Sequence, residues 1–159
     1  YSLGHVSKDY ENSDGEMVTY RTHYDRRHNV NLIATYTAGA KNQWEMSARW
    51  NFGSGFPFTQ VSGFFEELPY DNIYFDPYTE SGNLGLIYGD LNTGQLPTYH
   101  RLDLDVKRKF YITEKILLEA DFGITNVYDR RNIFYIDVVT AETIYQLPLM
   151  PSLGLTLSF

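Results

Sequence analysis

The chain has 159 residues, room for one ordinary domain, with 43% apolar and 16% aromatic residues. Its net charge of −7 and pI of about 5.0 argue against a nucleic-acid partner, and the absence of cysteine excludes a disulfide framework and thiolate chemistry. No apolar run approaches the ~18 residues of a membrane helix, which leaves membrane β-barrels open because only alternate residues of their strands face lipid.

Alternation of apolar and polar residues predicts six strands. The first, Tyr1 to Asp9, is blurred by Gly4 and His5. The second, Asn29 to Tyr36, sets Val30, Leu32, Ala34 and Tyr36 against Asn29, Asn31 and Thr35, with Ile33 out of pattern. In the third, Gln43 to Phe52, the residues Trp44, Met46, Ala48, Trp50 and Phe52 oppose Gln43, Glu45, Ser47, Arg49 and Asn51. In the fourth, Tyr99 to Phe110, the residues Leu102, Leu104, Val106 and Phe110 oppose Arg101, Asp103, Asp105 and Lys107, and Arg108 breaks the apolar parity. The fifth, Ile116 to Thr125, sets Ile116, Leu118, Ala120, Phe122 and Ile124 against Glu119, Asp121 and Thr125. The sixth runs from Ser152 to Phe159, with Leu153, Leu155, Leu157 and Phe159 on one side and Ser152, Gly154, Thr156 and Ser158 on the other.

The polar sides carry full charges in mid-strand: Glu45, Arg49, Arg101, Asp103, Asp105, Lys107, Glu119 and Asp121. In a soluble barrel such a face is the outside; in a porin-like barrel it is the water-filled lumen. The connections separate the two. Thr37 to Asn42 and Tyr111 to Lys115 are short, whereas Tyr10 to Tyr20, Gly53 to Thr98 and Val127 to Pro151 are long. Short turns at one end and long loops at the other match the periplasmic and extracellular ends of an outer-membrane barrel. The expected fold is therefore an all-β, antiparallel transmembrane β-barrel segment. Six strands are too few, since the smallest such barrels use eight and each unsatisfied backbone group at an open edge in lipid costs several kcal/mol. The deficit implies two further strands within Gly53 to Thr98, or strands from a missing N-terminal part or a second chain. Beginning at Tyr1 with neither Met nor leader, the sequence is expected to be a processed or truncated piece.

Few residues suggest chemistry. His5, His23, His28 and His100 lack any zinc spacing and read as isolated loop or interfacial histidines, so no metal and no cofactor is expected. Asp103 and Asp105, about 7 Å apart on one strand face, are close enough for glycosidase-like acid/base work. The plainer reading is a lumenal charge ladder, and no catalytic residue is expected. Gly53-Ser54-Gly55 and Gly82-x-x-Gly85 precede no helix and no Lys-Ser/Thr pair, which makes them loop punctuation. Tyr36, Trp44, Trp50, Phe52, Tyr99 and Phe110 fall at strand ends, where girdle aromatics are expected. Arg108 is expected at the periplasmic rim, where its cost is ~0–1 kcal/mol. The aromatic-acidic group Tyr70, Tyr74, Phe75, Asp76 and Tyr78 (with Glu80) is a candidate extracellular substrate loop or a shield for the barrel mouth.

The segments YDRRHNVNLIATY (24–36), WEMSARWNFGSGFPFT (44–59), LPTYHRLDLDVKRKF (96–110), FGITNVYDRRNIFYID (122–137) and YQLPLMPSLGLTLSF (145–159) together resemble the C-terminal barrel strands of TonB-dependent outer-membrane receptors of the Bacteroidetes type. Asn126 to Asp129 followed by a strand ending in Phe159 is the most specific part. The resemblance covers nearly the whole chain and implies a barrel of about 22 strands with a plugged lumen, of which residues 1–159 form the C-terminal portion. It further implies a bacterial outer-membrane location and uptake of a nutrient too large for porins. The implied partners are membrane lipid, the remaining strands and plug, TonB through that plug, the barrel-assembly machinery and an unidentified transported ligand. Ser152, Gly154, Leu157 and Phe159 resemble the terminal signal that the assembly machinery reads. The competing readings are a complete eight-stranded outer-membrane barrel (adhesin, structural protein or narrow channel), a soluble lipocalin-like carrier, and a fragment captured in a larger envelope complex.

Overall fold

The computed structural model of the chain describes residues 1–67, 76 and 82–159. Among these residues all regular structure is β. In chain order the strands are β1 (Ser2–Leu3), β2 (Ser7–Glu11), β3 (Met17–Arg21), β4 (His28–Ala38), β5 (Trp44–Gly53), β6 (Pro57–Phe58) and β7 (Val61–Glu67). They continue with β8 (Asn83–Tyr88), β9 (Gly94–Gln95), β10 (Tyr99–Tyr111), β11 (Leu117–Thr125), β12 (Ile133–Ile136), β13 (Thr143–Tyr145) and β14 (Met150–Ser158). Every pairing is antiparallel.

Six strands make one sheet in the order β1-β4-β5-β10-β11-β14. Five-residue turns join β4 to β5 and β10 to β11. In the first turn Gly39 takes φ +92°, a left-handed conformation that glycine adopts without steric cost, and the Asn42 amide donates to the Gly39 carbonyl. In the second, the Thr113 hydroxyl accepts from the amides of Lys115 and Ile116, so the turn is closed by its own side chain. The other connections leave the sheet for long excursions, which gives the sheet one short-turn end and one long-loop end.

Register sorts the side chains into rows across the sheet. On one face the rows are Ala38, Trp44, Arg108, Ala120 and Leu155; then Tyr36, Met46, Val106, Phe122 and Leu153; then Ala34, Ala48, Leu104, Ile124 and Pro151. This face is apolar apart from Arg108 and uncovered: Tyr36 is 67% exposed, Leu153 76% and Leu155 68%. No hydrophobic side chain among the described residues is buried. A water-exposed apolar sheet face forfeits the burial that ordinarily stabilises a β layer, about 25 cal/mol for each Å² of apolar surface.

The sheet is open. β1 pairs with β4 only through Ser2–Asn29 and Leu3–His28, so residues 30–38 present a bare edge, as does the outer side of β14. Two further sheet strands within residues 53–98 are not found among the described residues: β6 pairs with β9 and β7 with β8, and none of the four extends the sheet. Residues Tyr1 to Asp9 do not form one strand. The chain breaks after Leu3, where the Gly4 amide donates to the Arg27 carbonyl, and β2 pairs with β3 instead. The remaining sheet strands match the sequence expectation to within about two residues at each end.

The chain divides into two compact units. One holds the six-stranded sheet and the β12–β13 hairpin; the other, His5–Asp25 with Phe56–Leu96, holds the pairs β2–β3, β6–β9 and β7–β8. Inside this second unit the Asn12 carboxamide accepts from the Asp14 and Glu16 amides to shape the β2–β3 turn. Asn92 ties two segments together, donating to the Arg21 carbonyl and accepting from the Thr59 hydroxyl.

Candidate functional site

The second face of the sheet gathers the charges expected of a lumen. Glu45, Lys107 and Asp121 share one row, with Gly154 at its end. Ser47, Asp105, Gly123 and Ser152 form the next, and Ile33, Arg49 and Asp103 the third. Lys107 therefore sits between two carboxylates and Arg49 faces Asp103, the opposite-charge pattern that stabilises cross-strand neighbours. Lys109 and Glu119, directly across from each other, lie 3.7 Å apart. Ile33, out of pattern in the sequence, points to this charged face beside Arg49.

Two details set the ladder's chemistry. Arg101 donates through Nε (3.1 Å) and Nη2 (2.9 Å) to Oδ2 of Asp103, while Oδ1 of the same carboxylate accepts from the Asn126 amide at 3.0 Å. Both oxygens of Asp103 are thus engaged in holding strand and loop, a structural acceptor role. At Gly123 an added Cβ would come within 2.7 Å of Ser152 Oγ and 3.3 Å of Asp105 Oδ2, so a larger residue would make the Ser152 hydroxyl and the Asp105 carboxylate shift.

The long-loop end of β11 is fixed by Asn126, which opens the most specific segment of the resemblance, and by Asn132, to which the sequence reading gave no role. Asn126 is fully buried, with φ +55°. Its carboxamide donates to the carbonyls of Arg130 and Leu147 and accepts from the Arg130 amide, each at 3.0 Å. Asn132, 5% exposed, accepts from the His100 amide and donates to the His100 carbonyl, which extends the β10 ladder with a side chain. Asp129 accepts from the Leu149 amide at 2.8 Å just before β14. The signal available in the sequence was the cluster Asn126, Asp129 and Asn132, residue types that tolerate positive φ and imitate backbone groups.

In the second unit, Asp25 is fully buried and accepts from Arg21 Nε at 2.9 Å and from the Val6 amide at 3.0 Å, with His5 Nδ1 3.8 Å away. Burial alone would raise this carboxyl; the Arg21 and Val6 hydrogen bonds and the charges of Arg21 and His5 outweigh it and hold the group below its ordinary 3.8. A depressed folded-state value means that the stabilisation is complete above 3.8 and is lost as pH falls through the lower folded value. The Val6 amide resonance is therefore expected to stay fixed above that point and to shift on acidification, and Asp25→Asn is expected to abolish the transition. A Val6 resonance indifferent to acid in the parent protein would remove Asp25 as the acceptor that holds this segment.

The same unit contains a cleft of about 360 Å³ lined by Tyr10, Val18, Tyr20, Arg21, Asp90, Leu91 and Asn92 among others. Tyr10 and Tyr20 meet edge to face, 5.6 Å between ring centroids. Of the candidate substrate-loop residues, Asp76 is exposed, while Tyr70, Tyr74, Phe75 and Tyr78 lie outside the described residues. The four histidines do not converge: His28 pairs with the Tyr1 hydroxyl, His100 with the Tyr128 hydroxyl, and His5 lies near Asp25. No group of three or more metal-ligating side chains is found among the described residues. At the terminus, Ser152 lies opposite Gly123, Gly154 opposite Asp121 and Leu157 opposite Leu118, while Phe159 is 97% exposed beyond the end of β14. Comparison with protein-family models, curated proteins and solved structures finds no match.

Proposed function

We propose that this chain is a wall segment of a bacterial outer-membrane β-barrel, the C-terminal portion of a TonB-dependent receptor that takes up a nutrient too large for porins. The observation that carries the proposal is the apolar face of the six-stranded sheet, whose side chains are exposed or half-buried, with no buried hydrophobic side chain among the described residues. In water such a face has no stabilising partner. In a bilayer, lipid tails supply one.

Three further features support the reading. The five long strands have 9 to 13 residues, against the ~9–11 that a tilted strand needs to cross hydrocarbon. The face opposite the apolar one carries alternating-sign charges suited to a water-filled lumen. The two bare edges, at β4 and β14, each need a partner strand, which the remaining barrel strands provide in this reading. Within the proposal, Ser152, Gly154, Leu157 and Phe159 serve strand recognition during assembly. The charged face lines the passage, and energy arrives through TonB and a plug outside these residues. No cofactor takes part.

The test is heat modifiability. The intact protein, extracted from outer membranes without boiling, is expected to run as a compact barrel and to shift on heating. The 159-residue chain alone is expected not to do so, because its sheet lacks partners at both edges. A folded, heat-modifiable band from the isolated chain would favour a small self-contained barrel, and solubility without detergent would favour a carrier.

A further inference from the structure

Arg108 is the only Lys or Arg in the rows of the apolar face. It stands in the row of Ala38, Trp44, Ala120 and Leu155, three residues before the end of β10 and so near the short-turn end. Its guanidinium carbon lies over the Trp44 ring, 4.5 Å from the centroid, and over the Phe110 ring at 4.6 Å. The side chain is exposed, and no carboxylate among the described residues pairs with it.

This setting selects a particular kind of anion. A guanidinium keeps its charge at all relevant pH values, and its faces are weakly hydrated and stack on aromatic rings. Its five N–H donors lie in the guanidinium plane, in a fork that matches two phosphate oxygens. The flanking rows are apolar: Tyr36, Met46, Val106, Phe122 and Leu153 on one side, Phe110, Leu118 and Leu157 on the other. A free inorganic anion gains nothing from those neighbours, whereas an amphiphile with a phosphate head and hydrocarbon tails matches both parts. Lys41, in the adjacent short turn with its Nζ over the Tyr111 ring at 5.5 Å, adds positive charge at the same end. Cations and aromatics at a membrane rim are where an anionic headgroup is met.

We propose that Arg108, cradled by Trp44 and Phe110, binds the phosphate of an anionic membrane phospholipid whose acyl chains lie along Met46, Val106 and Phe122. The site rests on the membrane reading above, and it goes further by making one position on the lipid-facing surface selective for headgroup charge.

The test uses the intact protein in mild detergent, with phosphatidylglycerol or phosphatidylcholine of matched chains titrated in and retained lipid counted by native mass spectrometry. Phosphatidylglycerol is expected to be retained over phosphatidylcholine. Arg108→Gln is expected to weaken that retention about tenfold, and Arg108→Lys, which keeps the charge but loses the fork, severalfold. Lys115→Gln, a solvated turn charge, is expected to leave it unchanged. The lysine variant keeps the test open if the glutamine variant fails to assemble. Equal retention of the two lipids by the parent, or undiminished retention in both Arg108 variants, overturns the site. Displacement of the lipid by millimolar inorganic phosphate also overturns it, because it would mark a simple anion site. Heat modifiability of the same samples separates the two ideas: a folded barrel without lipid selectivity removes the Arg108 site alone, and a protein that needs no membrane removes both.

Discussion

Replacing Asn126 by alanine is expected to destabilise the protein by about 3 kcal/mol, read as a lowered urea midpoint in lipid or detergent. The side chain is fully buried and supplies three hydrogen bonds, two to carbonyls and one from an amide. Alanine leaves all three backbone groups to find other partners, and each buried unsatisfied group costs about 1–3 kcal/mol. The backbone adds a second term, because Asn126 sits at φ +55°, a left-handed conformation that asparagine tolerates better than alanine. Asn126→Gly removes the same hydrogen bonds without that strain and is expected to cost about 1 kcal/mol less. If the alanine and glycine variants both unfold at the parent's midpoint, the carboxamide is not what fixes this loop. The effect reaches the charged face as well, since the Asn126 amide is the donor to Asp103 Oδ1 and Asp103 also holds Arg101.

The strands of the main sheet are legible in the sequence because their two faces carry different residue types. Met46, Val106, Phe122 and Leu153 fall into one row while Glu45, Lys107 and Asp121 fall into another on the opposite side, and a period of two records that difference directly. Ile33 and Arg108 break the period, and both keep the register all the same. Their exceptions are local: Ile33 stands beside Arg49 on the charged face, and the exposed Arg108 lies over the rings of Trp44 and Phe110. The pairs β2–β3 and β7–β8 are not legible in the same way. Ser7 to Glu11 is exposed at every position and Glu66, Glu67, Asn83 and Leu84 are exposed too, so these stretches select no apolar face, and the alternation of β3 spans only Met17 to Tyr20. What remained hidden at the candidate site was of another kind. That Asn126 caps the carbonyl of Leu147, or that Asp25 takes Arg21 and the Val6 amide, depends on which distant backbone groups the fold leaves unpaired, and residue type alone does not say which they are.

Arginine placed on the apolar face at different depths is expected to cost different amounts. Leu104 lies near the middle of β10, in the row of Ala48 and Ile124, and Leu104→Arg is expected to cost about 2–4 kcal/mol in a lipid bilayer. Ala38 shares the row of Arg108 near the short-turn end, and Ala38→Arg is expected to cost about 0–1 kcal/mol. Ser47→Arg, on the charged face beside Asp105, is expected to change little if, as proposed, that face lines a water-filled lumen that solvates the new charge. Urea midpoints of the barrel in vesicles of defined chain length give the three values. Longer acyl chains carry the hydrocarbon boundary toward the Ala38 row, so the cost of Ala38→Arg is expected to rise toward that of Leu104→Arg while Ser47→Arg stays level. A protein core would respond otherwise. It penalises a buried cation according to local packing, is blind to the length of any lipid, and would give Leu104→Arg and Ala38→Arg costs that do not move with the bilayer. The dependence on chain length, more than the size of any one penalty, therefore distinguishes lipid from protein as the medium that the apolar face meets.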